Sequence, residues 1–189
     1  MYKIRAFMIF AFMALTHTAF ADSYSDTISL FKHAGQSSSF FTNSYGYAVF
    51  PTVGKGGFVV GAAHGTGHVY QKGRYVGDST VNQLSVGFQA GGQAYSLIVF
   101  FQDQRAFDEF TAGNFEFDAD VGAVAITAAA QGSAGTNGAT AGASGGKKDA
   151  ATASAYHKGV AVFTIVKGGA MYEASLAGQK FSYKPRPTP

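Results

Sequence analysis

Cysteine is absent from this 189-residue chain. That excludes disulfides, thiolate metal sites and a lipid anchor attached through cysteine. A marked excess of one charge is absent too. The chain has 14 basic and 11 acidic residues. Two of the basic residues, Lys3 and Arg5, sit in an N-terminal stretch that reads as a leader, and subtracting them from the 14 leaves 12 against 11. The sequence pI of about 9.0 therefore carries no argument for nucleic acid. No run of basic residues offers a phosphate-tracking stripe. Long hydrophobic runs are also missing. Ala6 to Leu15 is apolar but ends at Thr16-His17-Thr18, short of the roughly 20 residues a spanning helix needs. A basic start, this apolar run and Ala19-Phe20-Ala21 have the form of a secretory signal. Cleavage after Ala21 is expected, so that 1–21 is leader and 22–189 a periplasmic or secreted chain, soluble or peripheral to a membrane. Large side chains are scarce from Ala128 to Gly146, where every residue is Ala, Gly, Ser, Thr, Gln or Asn. Such composition does not offset ordering entropy. A flexible insertion near 131–150 is expected, with a small-residue β-ribbon as the rival reading.

What is present is glycine, aromatics and β-branched residues. Tyr24, Ile28, Phe31 and Ala34 recur at spacings of four, three and three, a helical stripe over the first part of the mature chain. It suits a helix packed on a core or one lying on a membrane surface. Ser37 to Ser44 reads as a helical turn or loop. Asp103 to Gly113 predicts a short helix, with Asp103 as N-cap, Phe107 and Phe110 on one face and Gly113 just beyond the end. Tyr45–Phe50, 57–63, 67–71, 74–77, 81–90, 95–101, 115–117, 121–127, 152–156 and 159–166 predict strands. Turns are expected at 54–57, 64–66, 72–73, 91–92 and 167–169, and Pro51 is expected to end a strand or lie at an edge. The almost continuously apolar run 95–101, broken only by Ser96, predicts a strand buried on both faces. The fold class is β-rich α+β: a strongly curved antiparallel sheet, barrel-like or sandwich, with a short N-terminal helix and a second near 103–112. The tail 184–189 is expected to be extended and mobile.

The stretch Phe50-Pro51-Thr52-Val53-Gly54-Lys55-Gly56-Gly57-Phe58-Val59-Val60-Gly61-Ala62-Ala63-His64-Gly65 resembles the signature of the SYLF domain, a lipid-binding domain of bacterial secreted proteins and of eukaryotic membrane-trafficking and actin-patch proteins. Met171-Tyr172-Glu173-Ala174-Ser175-Leu176-Ala177-Gly178-Gln179-Lys180-Phe181-Ser182-Tyr183 resembles the C-terminus of bacterial members. The resemblance covers 45–127 and 155–183 and implies a single lipid-binding domain over 22–183. It also implies that the N-terminal helical region meets lipid in some members. The Ala/Gly/Ser-rich insertion departs from the family pattern.

If 57–63 pairs with 67–71, Lys55 falls beside Tyr75 and close to Lys72 and Arg74. Three cations would then gather with the N–H groups of Gly54, Gly56 and Gly57. This arrangement suits an anionic headgroup, with Phe58 or Tyr75 adding apolar contact. The expected partner is an anionic phospholipid or membrane surface. The alternative is a structural or protein-interaction module of the cell envelope, its partner unidentified. His64 and His68 would lie near one another, but two ligands do not make a zinc site. Gly142-Ala143-Ser144-Gly145-Gly146 only partly mimics a nucleophile elbow. Asp118 and Asp120 read as solvated. Gly54-Lys55-Gly56-Gly57 lacks the P-loop ending. No enzyme activity, metal, cofactor or nucleic-acid partner is expected.

Overall fold

In the computed structural model the chain is described over 16–117, 124–126, 156–169 and 178–187. Its elements are α1 (Thr16–His33), α2 (Phe40–Asn43), β1 (Gly46–Gln71), β2 (Arg74–Phe101), α3 (Gln104–Thr111), β3 (Phe115–Glu116), β4 (Val124–Ile126), β5 (Val160–Gly169) and β6 (Lys180–Pro185). β2 is the central strand. Along one edge it pairs antiparallel with β1 over nearly its whole length. On its other edge β6 takes 77–82 and β5 takes 93–101, both antiparallel. β3 adds to β6, and β4 runs parallel to β5. The result is a curled, mainly antiparallel half-barrel with few short helices. Among the described residues no helix is long and apolar enough to cross a membrane.

β1 and β2 form a two-stranded ribbon that doubles back on itself. The backbone N–H of Lys72 donates to the Tyr45 carbonyl at 3.0 Å, so the end of β1 returns to its beginning. A Cβ on Gly67 would stand 2.5 Å from the Phe50 ring and 2.8 Å from the Val49 carbonyl. A Cβ on Gly46 would stand 2.5 Å from the Tyr70 carbonyl. Contacts this short leave room only for hydrogen, so glycine is required there by the close approach. The alternation along β1 follows: Gly61, Ala63, Gly65, Gly67 and Val69 are buried, while Val60, Ala62, His64 and Thr66 face out.

The curl creates two apolar layers. Inside it lie Phe50, Val53, Val81, Tyr95, Leu97, Val99, Phe101 and Phe181, closed at one end by Phe107 and Phe110 of α3. Outside it, α1 sets Phe31 on Val49, Ile98, Phe100, Phe163 and Ile165, with Tyr24 and Ile28 against the same layer. Residues 95–101 are thus buried on both faces, as their almost continuously apolar run predicts. α1 ends where the Ser37 hydroxyl donates to the Phe31 carbonyl at 2.6 Å, satisfying an orphan acceptor. α3 is capped as expected: the Asp103 carboxylate accepts from the Ala106 N–H at 2.9 Å, and Gly113 has φ +93°. The turn at 72–73 is also as expected, with both residues left-handed (φ +48° and +77°), the geometry of a two-residue hairpin loop.

Several expected breaks are not breaks. Pro51 does not end a strand, but β1, which carries it, pairs with β2 alone among the described strands, so it lies on an edge strand as expected. β1 runs through it at an irregularity in the ladder, where its carbonyl accepts from Ser96 at 2.7 Å. Residues 54–57 and 64–66 are strand rather than turn, and so are 91–92 and 167–169. The tail is tied down as far as Arg186, whose N–H donates to Val76 at 2.9 Å and whose guanidinium lies 5.6 Å from the Tyr75 ring centroid. The leader through Leu15, the insertion 131–150, residues 152–155, the Ser144 elbow, Asp118, Asp120 and 171–177 lie outside the described residues.

The glycine contacts make a paired test. Gly67→Ala should lower the folding free energy by about 1–3 kcal/mol, the usual range for overpacking. Gly54→Ala has open space around the new methyl and should be neutral or stabilising by up to about 1 kcal/mol. Urea titration of the two variants checks this. Equal losses at both positions would contradict the doubled ribbon.

Candidate functional site: a basic cleft at the hairpin end

The expected gathering of Lys55, Lys72 and Arg74 does not form. Lys72 stands in the hairpin turn, and Arg74 follows it, paired with Gln71. Lys55 lies opposite Gln93, far back along the ribbon, and is only 4% exposed. The physical reason is register. β1 continues through 64–66, so the pairing assumed for 57–63 with 67–71 does not occur. Nor do Gly54, Gly56 and Gly57 form a nest of N–H groups, since all three lie in extended strand with no left-handed φ. The Phe58 side chain lies outside the described residues. Tyr75 donates to Asp78 at 2.7 Å and packs against His68, Tyr70 and Arg186.

Lys72 instead meets a cation that sequence reasoning did not single out. A cleft of about 570 Å³ opens between the end of α1, α2 and the hairpin turn. Lys32 and Lys72 line it, with Ser38, Thr42, Phe41 and Tyr45. Each lysine lies over an aromatic ring: Lys32 Nζ is 5.5 Å from the Phe41 centroid, and Lys72 Nζ is 5.1 Å from that of Tyr45. Among the described residues neither is in an ion pair. Tyr45 positions Lys72 two ways. Its carbonyl accepts the Lys72 N–H and its ring lies under the ammonium, while its hydroxyl accepts from the neighbouring Gln71 at 3.0 Å. Lys72 also occupies a left-handed position that normally takes Gly or Asn, at a cost of roughly 1–2 kcal/mol. A lysine held there against backbone preference is a pointer to use. Sequence spacing hid the pair, because 40 positions separate residues 32 and 72 and a helix must dock on the sheet before they meet.

Two neighbours shape the electrostatics. Tyr47 lines the cleft and stacks on Tyr70 with ring centroids 4.9 Å apart. Burial, then Tyr70, pushes its hydroxyl up to about 12, so it stays a neutral phenol. Across the aromatic layer, His68 stacks on Tyr24 of α1 with centroids 3.5 Å apart and planes 4° apart. His68 also lies 3.6 Å from Asp78. His64 does not join His68; its ring nitrogen hydrogen-bonds Asn82 at 2.8 Å. Among the described residues no group of three or more His, Asp or Glu is placed to hold a metal.

The His68–Tyr24 contact gives a pH dependence. Burial holds the imidazole below its ordinary 6.5, against the opposing pull of Asp78. The folded state thus binds this proton less readily than the unfolded chain. Its stabilising contribution is complete above pH 6.5 and is lost as pH falls through 6.5 toward the folded value. The urea midpoint should therefore fall between pH 7.5 and 5.5. His68→Phe keeps the stack and should flatten that slope. Identical slopes in both proteins would show that another group carries it.

A family model described as Ysc84, Las17-binding protein actin regulator, matches residues 82–186. Beta cell expansion factor A of Aeromonas veronii is 27% identical over 157 residues, covering 82% of this chain and 51% of that protein. The chain thus spans about half the length of that relative. The family match takes in β2 from Asn82 onward, α3 and the strands through β6, but neither Lys32 nor Lys72.

Proposed function

This chain belongs to the Ysc84 (SYLF-domain) family, and from that premise we propose that it is an exported, non-catalytic module that docks on anionic phospholipid headgroups through the Lys32/Lys72 cleft. Family membership supports a lipid-binding or actin-regulator type of module. The observation that carries the finer reading is the pair of lysines without ion-pair partners among the described residues, each over an aromatic ring, in a cleft also lined by Ser38 and Thr42. Two ammonium groups match the charge and hydrogen-bonding needs of a phosphate, while the Ser38 and Thr42 hydroxyls donate to the Gly35 and Ser39 carbonyls at 3.3 and 2.9 Å. Arg74 adds charge at the same turn, whereas Arg105 is already matched by Glu109 at 2.7 Å. Cleavage after Ala21 would leave Tyr24, Ile28 and Phe31 in place, so the helix that brings Lys32 to the cleft survives export.

A second reading is a protein-interaction module. The family is described as a Las17-binding protein actin regulator. On the outward face of the ribbon Val60 is 57% and Leu84 81% exposed, an apolar pair suited to a protein contact.

Co-sedimentation with phosphatidylcholine vesicles, with and without phosphatidylglycerol, tests the first reading. Binding should require the anionic lipid and weaken as salt screens the charges. A basic residue near an anionic surface adds about 1 kcal/mol, so Lys32→Ala and Lys72→Ala should each cost about five-fold in affinity. Arg74→Ala should cost less. Unchanged binding by the Lys32→Ala/Lys72→Ala double variant would remove the cleft from the account, and Leu84→Asp would then test the protein-contact reading.

A further inference from the structure

The interior of the half-barrel carries polar side chains that the proposed function does not use. Lys55 is 4% exposed, Gln93 5%, Gln83 4% and Gln179 0%. Lys55 and Gln93 are direct partners across the β1–β2 ladder, so their side chains share a face. That face is the inner one, because Val53 and Tyr95, two positions away on each strand, belong to the inner core. From β6's side Gln179 reaches in, and its Nε2 donates to the Tyr95 hydroxyl at 2.8 Å. The Gln83 carbonyl oxygen lies 3.5 Å from the same nitrogen.

This cluster is left incomplete. Among the described residues Gln93 Nε2, Gln93 Oε1 and Gln179 Oε1 are buried without hydrogen-bond partners. Among the described residues Lys55 has no ion-pair partner. A buried polar atom without a partner is costly. A folded chain tolerates such a group when something else completes it.

We propose that this interior site binds one oxyanion, a carboxylate or phosphate carried on an apolar body, between the Lys55 ammonium and the Gln93 amide. The donors face the oxyanion: three N–H on Lys55 and the N–H₂ of Gln93. The acceptors Gln93 Oε1 and Gln179 Oε1 suit a hydroxyl or a protonated oxygen of the same head. The described inner face around the cluster also carries apolar Val53, Ala63 and Val81, beside the buried hydroxyls of Ser79 and Thr164. Those apolar side chains favour an acyl or alkyl chain behind the head. The site stands apart from the Lys32/Lys72 cleft and requires no membrane.

Calorimetry on the full chain tests it with four probes: laurate, dodecyl phosphate, dodecanol and inorganic phosphate. Laurate or dodecyl phosphate should bind at least ten-fold more tightly than dodecanol or inorganic phosphate, and which of the two binds better identifies the head. Lys55→Met should reduce anion binding at least ten-fold to the dodecanol level. It should also raise the thermal midpoint of the empty protein, because an unpartnered ammonium is replaced by an apolar chain of similar length. Gln93→Leu provides a second variant, with weakened anion binding expected. Neither change should alter vesicle co-sedimentation, which separates this site from the cleft. Equal binding of dodecanol and laurate, undiminished binding in Lys55→Met, or no binding of any probe would overturn the proposal.

Discussion

The structure depends on how closely a two-stranded ribbon can lie against itself. At Gly46 and Gly67 the approaching backbone or ring stands 2.5 Å from where a Cβ would be. With side chains there, the halves of β1 could not close and β2 would lose the curl that gives it two buried faces. The inner core, the seat for α1 on the outer face and the position of Tyr45 beside Lys72 all follow from that closure. Glycine in these strands therefore does the opposite of its usual service in a turn. It keeps the chain extended where another strand must come within contact.

The same closure decides where the cations go. A single long β1 carries Lys55 inward opposite Gln93 and delivers Lys72 to the far end beside Tyr45. One strand thus places one lysine in the interior and another at the rim. The helical stripe Tyr24, Ile28, Phe31, Ala34 completes the rim. By seating α1 on Val49, Ile98 and Phe163 it aims Lys32 at the cleft. The stripe had two readings, core packing or membrane contact, and the two are linked here. The apolar side packs on the sheet, and that packing is what sets the basic end of the helix next to the hairpin turn.

Much of the fold was legible in the sequence, for physical reasons. Helix α3 carries its cap, its apolar pair and its C-terminal glycine within eleven residues, so local chemistry suffices. The run 95–101 is too apolar to face water on either side. The Lys72-Gly73 turn carries a glycine where φ is +77°. What was not legible is register. Gly54, Gly56, Gly57, Gly65, Gly91 and Gly92 look locally like turn residues. Only the partner strand shows that Gly65 and Gly67 are spacers, and Pro51 is tolerated because the ladder shifts around it. The site followed the same rule. Lys72 and Arg74 were placed correctly at a turn, but a wrong register brought Lys55 to them. Lys32 was missed because it reaches the cleft through tertiary docking, which no spacing records.

Lys72 and Lys55 are both placed at some expense to the fold. Lys72 occupies a backbone conformation that suits glycine, and Lys55 lies in an interior where an apolar chain would pack without penalty. A chain selected for stability alone would have Gly or Asn at 72 and a leucine or methionine at 55. Solvated charge does not explain Lys55, and Lys72, though exposed, has no carboxylate partner among the described residues. Lys180 and Arg105 show what solvated charge looks like, each exposed beside a carboxylate, at 3.5 Å from Glu116 and 2.7 Å from Glu109. The two unmatched lysines differ in surroundings, one over a ring at an open cleft and one opposite an unpartnered amide. Their ligands should differ accordingly: a headgroup that stays in its membrane for Lys72, and a whole amphiphile taken into the sheet for Lys55. On this argument the basic residues of the domain are distinguished less by number than by whether the fold has already supplied their counter-charge.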